Sequence, residues 1–124
     1  QVCFLSGDNK INEAMAKNRN IDFYYARGKD KAEFIDYFTK TYKCNPEEML
    51  YIGDDLFDLS ILKSVGHAYC PKDSPQIIKQ NSIVLDRNGG ENLVAFLYDH
   101  LRQKNLVDDC TMEEIERLDK DEKF

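Results

Sequence analysis

Histidine is scarce in this 124-residue chain, with two copies, and the four cysteines, Cys3, Cys44, Cys70 and Cys110, are scattered without a C-x-x-C pair. These shortages argue against a zinc site or a disulfide framework and predict free thiols in a reducing cytosol. No apolar run approaches the ~20 residues of a membrane span, and no signal peptide is recognisable. A cytoplasmic location without a membrane partner is therefore expected. Positive charge is also in short supply: the net charge of −6 argues against a nucleic-acid partner. There is no internal repeat or low-complexity linker. The length suits one domain with a real core, yet it is small for a complete α/β enzyme. The first residue is Gln1 rather than Met, and an apolar strand pattern follows at once, which predicts that the natural protein starts earlier.

The acidity is concentrated. Residues 105–124 carry eight acids against three bases, a charge of −5, which leaves −1 for everything before them. The chain is accordingly expected to divide into a core over residues 1–104 and an acidic helical tail over 105–124. In that tail Thr111 and Glu114 stand at capping-box spacing and predict a helix to about Leu118.

Within the core, short apolar runs alternate with helical patterns. Val2 to Leu5, Ile21 to Tyr25, Met49 to Ile52, His67 to Cys70 and Ser82 to Leu85 are predicted strands, the first, third and fourth of them buried. Helical spacing links Ile11, Ala14 and Met15; then Phe34, Ile35, Phe38 and Tyr42; then Leu56, Leu59 and Leu62; and later Leu93, Phe96, Leu97 and Leu101. Asn45-Pro46-Glu47-Glu48 carries a cap, a first-turn proline and first-turn acids, and Ser74-Pro75 opens a short helix through Ile77 and Ile78. This alternation predicts an α/β fold: a three-layer, Rossmann-like parallel sheet with helices on both faces.

The chemistry gathers in Tyr51-Ile52-Gly53-Asp54-Asp55-Leu56-Phe57-Asp58. Three carboxylates follow an apolar strand and a glycine and run into a helix, which puts them at the carboxyl end of a strand, where open α/β sheets bind ligands. Hard oxygen ligands there suit Mg²⁺, and Mg²⁺ commonly accompanies phosphate. The simpler alternative is an acidic helix N-terminus, favoured by capping and the helix dipole. Two further positions weigh toward the metal: Ser6, followed by Gly7, ends the first strand, and Lys31 opens the helix after the second. Parallel topology brings these ends to one edge, where a hydroxyl, an ammonium and carboxylates with metal together hold a transferring phosphoryl group. His67 and His100 have no second ligand at a recognisable spacing and are expected to be structural.

These segments resemble the haloacid dehalogenase superfamily, in particular its small phosphatases acting on 3-deoxy-D-manno-octulosonate 8-phosphate or acylneuraminate 9-phosphate. Phe4-Leu5-Ser6-Gly7 is similar to the second family motif, Gly28-Lys29-Asp30-Lys31 to the third, and Asn45 to Leu59 to the fourth; Val65-Gly66-His67-Ala68 with Pro71, and Gly89-Gly90-Glu91, resemble later landmarks. The resemblance implies that Ser6 and the Gly7 amide bind phosphate and that Lys31 neutralises it and orients the nucleophile. It also implies that Asp54 ligates Mg²⁺ directly, with Asp55 and Asp58 supporting through water or through contacts to its ligands. No separate cap domain is expected. The implied chemistry is attack on phosphorus by a carboxylate, followed by hydrolysis of the aspartyl-phosphate.

One family element has no counterpart. The first motif, a D-x-D after a central strand, supplies the attacking aspartate, whereas the only D-x-D here is Asp119-Lys120-Asp121 in the polar tail. The expected fold therefore lacks its central first strand, between Val2 to Leu5 and Met49 to Ile52, and leaves a gap or exposed edges there. Such edges tend to be paired or covered, which predicts a homo-oligomer or repacking by the tail. The alternative function is a non-catalytic, phosphatase-like oligomerisation or interaction domain, as in acylneuraminate cytidylyltransferases.

Overall fold

The computed structural model describes residues 1–121. Strand β1 (Cys3–Ser6) leads through helix α1 (Ile11–Asn18) to β2 (Asp22–Tyr25), and α2 (Ile35–Tyr42) follows. Then come β3 (Leu50–Ile52), α3 (Leu59–Leu62), β4 (His67–Pro71), α4 (Gln76–Lys79), β5 (Ile83–Leu85) and α5 (Leu93–Gln103). Helix α6 (Met112–Asp121) closes the described chain. Short 3-10 turns at Lys31–Phe34, Pro46–Glu48 and Leu56–Asp58 start α2, precede β3 and start α3. The predicted alternation is thus realised as an α/β fold, and every strand pair is parallel.

The strands form two hydrogen-bonded ladders, β1-β2 and β3-β4-β5, and β1 and β3 are not neighbours in either. Residues on alternate faces of the larger ladder build two cores. Cys70 packs with Leu62 of α3 and Ile78 of α4 on one side, joined by Tyr51 and Ala68. Tyr69 packs with Leu85 and Leu97 of α5 on the other, joined by Ile52. This period-two division is what puts helices on both faces. Tyr69, Ile61, Leu62, Ile78 and Leu85 are essentially fully buried; each contributes on the order of 1.5–3 kcal/mol. His100 packs edge-on against Tyr69, with centroids 5.4 Å apart, as befits a structural histidine.

The smaller ladder is held by an aromatic cluster. The Tyr24 ring meets Phe38 at 5.0 Å and Tyr37 at 5.6 Å in edge-to-face geometry. Two expectations need correction. The runs at Val2 to Leu5 and Met49 to Ile52 were expected to be buried strands, but β1 is only half-buried throughout and Leu50 of β3 is exposed. The cause is topological: each strand is paired on one side only, so it lacks the second neighbour that covers an interior strand. Of the acidic tail, α6 runs from Met112 to Asp121, close to the expected helix; residues 122–124 lie outside those described.

Candidate active site

Gly53 follows β3 and permits a close contact. A Cβ placed there would lie 2.6 Å from Cγ and Oδ2 of Asp58. The carboxylate of Asp58 thus rests against the bare backbone of Gly53, 3% exposed. It is fully occupied there. Oδ2 accepts the Asp54 and Asp55 amides, both at 3.0 Å, while Oδ1 accepts the Tyr51 hydroxyl at 2.7 Å and Lys31 Nζ at 2.5 Å. Lys31 also donates to the Tyr51 hydroxyl at 3.2 Å. Burial alone raises the pKa of Asp58, but the bonds from Lys31, the Asp55 amide and Tyr51 outweigh it and hold the carboxyl below its usual range. Tyr51 moves the other way: burial, then the adjacent Asp58 charge, pushes its phenol upward and keeps it a neutral donor.

Gly53→Ala is expected to expel Asp58 from this seat and lower stability by about 2 kcal/mol. Urea unfolding of the variant is the check, and a change within experimental error would show that the loop absorbs the methyl group.

Lys31 is delivered by a tight start to its helix. Gly28 adopts φ +72°, a conformation that favours glycine. Asp30 then caps the turn, accepting the Ala32 amide at 3.0 Å and the Ser60 hydroxyl. The Ser60 bond first, then the Ala32 amide, lowers the Asp30 pKa. Lys31 is thereby placed against the loop after β3, twenty residues from Tyr51 and twenty-seven from Asp58 in sequence.

The remaining sequence-predicted residues are arranged less tightly. Asp55 is exposed, caps the Leu56–Asp58 turn and shares a capping box with Asp58. Asp54 is exposed; its Oδ2 lies 4.0 Å from where a Cβ on Gly89 would be, and the Gly89 amide donates to Asp73 Oδ1 at 3.0 Å. The Gly89-Gly90 turn therefore closes over the Asp54 end of β3. Ser6 terminates β1, and its hydroxyl accepts the Asp8 amide at 3.1 Å and Asn12 Nδ2 at 2.8 Å. That leaves its own O–H available to donate. Gly7 lies beside Arg27, whose Cα would be 3.9 Å from an added Cβ. Lys31, after β2, is thus joined directly to Asp58, after β3, whereas Ser6 and Gly7 stand at the end of β1, beside β2 in the smaller ladder. Among the described residues, no three His, Cys, Asp or Glu side chains are grouped as a metal site.

Sequence reasoning missed Tyr51, Asp30 and Ser60. Tyr51 counted only as an apolar strand residue, although a tyrosine two positions before Gly53 signals a buried hydroxyl in need of a partner. Asp30 and Ser60 are thirty residues apart, and no spacing rule pairs them.

Residues 7–95 match the family model for haloacid dehalogenase-like hydrolases. The chain belongs to this family. The match takes in Gly7, Lys31, Asp54, Asp55 and Asp58 and starts one residue after Ser6. Among relatives, the chain is 30% identical over 91 residues to 3-deoxy-D-manno-octulosonate 8-phosphate phosphatase KdsC from Yersinia pestis, covering 73% of this chain and 49% of that one. It spans about half the length of this curated relative. A crystal structure of 3-deoxy-D-manno-octulosonate 8-phosphate phosphatase from the same organism is 26% identical with a TM-score of 0.74, covering 86% of this chain and 59% of that one. The cobalt-bound deoxy-D-mannose-octulosonate 8-phosphate phosphatase from Haemophilus influenzae shares the fold, with a TM-score of 0.79 at 23% identity; 98% of this chain and 71% of that one are covered. Within the haloacid dehalogenase-like hydrolases the likeness is therefore to the octulosonate 8-phosphate phosphatase group. Among the described residues no helix is long and apolar enough to cross a membrane.

Proposed function

We propose that this chain carries the phosphate- and metal-binding half of a phosphatase site for a phosphorylated sugar acid of the 3-deoxy-D-manno-octulosonate 8-phosphate or acylneuraminate 9-phosphate class. One observation carries the reading. The buried Asp58 carboxylate ties Lys31 to the Asp54 and Asp55 amides and leaves the Asp54 side chain exposed at the end of β3. In this reading Lys31 sets positive charge beside the phosphoryl oxygens, and Ser6 and the Gly7 amide donate to them from the end of β1.

Mg²⁺ suits the donor set in part, since it commonly binds through one or two carboxylates, waters and substrate phosphate. Asp54 would hold it directly. Asp55 and Asp58, committed to the turn, would support it through water and through the loop they fix. Bound Mg²⁺ would supply further positive charge to the phosphoryl group. Among the described residues no D-x-D follows a strand to supply the attacking carboxylate, so this chain by itself is not expected to turn substrate over.

The experiment is a melting titration with Mg²⁺ and inorganic phosphate, paired with a p-nitrophenyl phosphate assay. A ligand that binds only the folded state raises the melting temperature with its concentration. The native chain should respond and Asp54→Asn should lose the Mg²⁺ response; equal responses would remove Asp54 as the ligand. Clear hydrolysis by the chain alone would place a nucleophile within it and overturn the half-site reading.

A further inference from the structure

Arg27 stands at the carboxyl end of β2, beside the Ser6-Gly7 end of β1. The Ala26 amide donates to the Ser6 carbonyl at 2.9 Å, and Arg27 Cα lies 3.9 Å from where a Cβ on Gly7 would be. A tight turn fixes its backbone. The Lys29 amide donates to the Ala26 carbonyl at 3.1 Å, and Gly28 at φ +72° supplies the positive φ that a type II turn needs at its second corner. Arg27 is the first corner of that turn and is exposed, whereas Ala26 behind it is buried.

The charges around Arg27 are committed elsewhere. Asp30 caps the following turn and accepts the Ser60 hydroxyl, and Asp8 Oδ1 accepts the Lys10 amide at 2.9 Å. Lys29 Nζ lies 5.8 Å from the centre of the Phe34 ring, and Lys31 Nζ is bonded to Asp58. Among the described residues Arg27 enters no ion pair, and its side chain makes no hydrogen bond. The guanidinium therefore keeps all its donors for a ligand.

The proposed substrate has two anionic ends, and the groups assigned so far answer to one of them. Ser6, the Gly7 amide, Lys31 and Mg²⁺ meet the phosphoryl group. The other end is a carboxylate, planar and with two oxygens, which a guanidinium fork matches through two parallel N–H···O bonds and an ammonium does not. On that reading of the site, we propose that Arg27 binds the carboxylate of the sugar acid and so selects it over neutral sugar phosphates. Because its Cα adjoins Gly7, the guanidinium stays within one side-chain length of the phosphate donors. Both ends of a single small molecule can then be held at once.

Isothermal titration of the full chain with Mg²⁺ present tests this. The probes are 3-deoxy-D-manno-octulosonate 8-phosphate, the same compound with its carboxylate converted to the amide, and inorganic phosphate. The native chain should bind the acid about tenfold or more tightly than the amide. Arg27→Gln should bind the two alike, and inorganic phosphate as the native chain does; Arg27→Lys, with the charge but no fork, should fall between. The residue is exposed, so these variants should fold, with circular dichroism as the control. A native chain indifferent to the carboxylate, or a preference that survives in Arg27→Gln, would overturn the assignment. So would an equal loss for inorganic phosphate in Arg27→Gln, which would place Arg27 on the phosphoryl group. Failure of the native chain to bind inorganic phosphate at all would instead refute the half-site reading, and the assignment with it.

Discussion

Replacing Lys31 with methionine is expected to cost about 3 kcal/mol at neutral pH, near the lower end for breaking a buried ion pair. The methionine keeps the stem of the side chain and removes the ammonium. Asp58 then remains 3% exposed with no opposite charge, although the Tyr51 hydroxyl and two backbone amides still bond it. Those three bonds are the reason for choosing the lower end.

The pH dependence separates this explanation from simple loss of packing. In the native chain the Asp58 carboxyl titrates below its ordinary range. A group with a depressed folded-state pKa binds fewer protons folded than unfolded. It contributes stability above the unfolded value and loses it as pH falls through the folded one. Without Lys31, burial pushes the same carboxyl upward, so protonation relieves the variant. The stability difference between native chain and Lys31→Met should therefore shrink as the pH falls from the variant's raised carboxyl value, above about 4, toward the native chain's depressed one below it. A constant difference, read from urea unfolding across pH, would mean that the ammonium contributes only bulk.

The second large effect is expected at Gly66→Ala, outside the site. A Cβ at Gly66 would stand 1.9 Å from the Glu47 carbonyl oxygen and 2.5 Å from its carbon. Both neighbours are backbone, so no rotamer change relieves the clash. Nearby, the Gly66 amide donates to the Pro46 carbonyl at 2.9 Å and the His67 amide to the Met49 carbonyl at 3.0 Å, the bonds that set β4 against β3. We expect a loss of about 3 kcal/mol or more and a melting temperature lower by roughly 10 °C. Gly28→Ala is the control, since nothing lies within 4 Å of its Cβ and only its φ of +72° is strained. Its cost should be near 1 kcal/mol. Equal losses at the two glycines would refute the steric account.

The order of strands and helices was legible because hydrophobic period reports local conformation directly, as in Leu56, Leu59 and Leu62 or in the run to Ile52. The α/β architecture followed from the alternation of apolar and helical runs, and the family from the resemblance of the quoted motifs. Sequence did not show which of the three acids turns inward. That depends on Gly53, whose missing side chain leaves a seat for the residue five positions on, and on Tyr51 and Lys31 arriving from other elements. Nor could it show that β1 and β3 stay half covered, because the runs at Val2 to Leu5 and Met49 to Ile52 read the same whether or not a strand lies alongside. The contact of Gly66 with Glu47 joins segments nineteen residues apart and leaves no periodic trace.

The break between the ladders gives the Lys31–Asp58 bond a mechanical role. Lys31 follows β2 and Asp58 follows β3, so this bond, with Ser60 to Asp30 beside it, fastens the first thirty residues to the rest. No sheet hydrogen bond runs between β1 and β3 to share the load. The β1-α1-β2 unit should consequently swing open as a block before the larger ladder melts, with its amides exchanging hydrogen together at a lower free energy than those of β4. A ligand gripping both Lys31 and the loop after Gly53 would act as a rivet across that hinge.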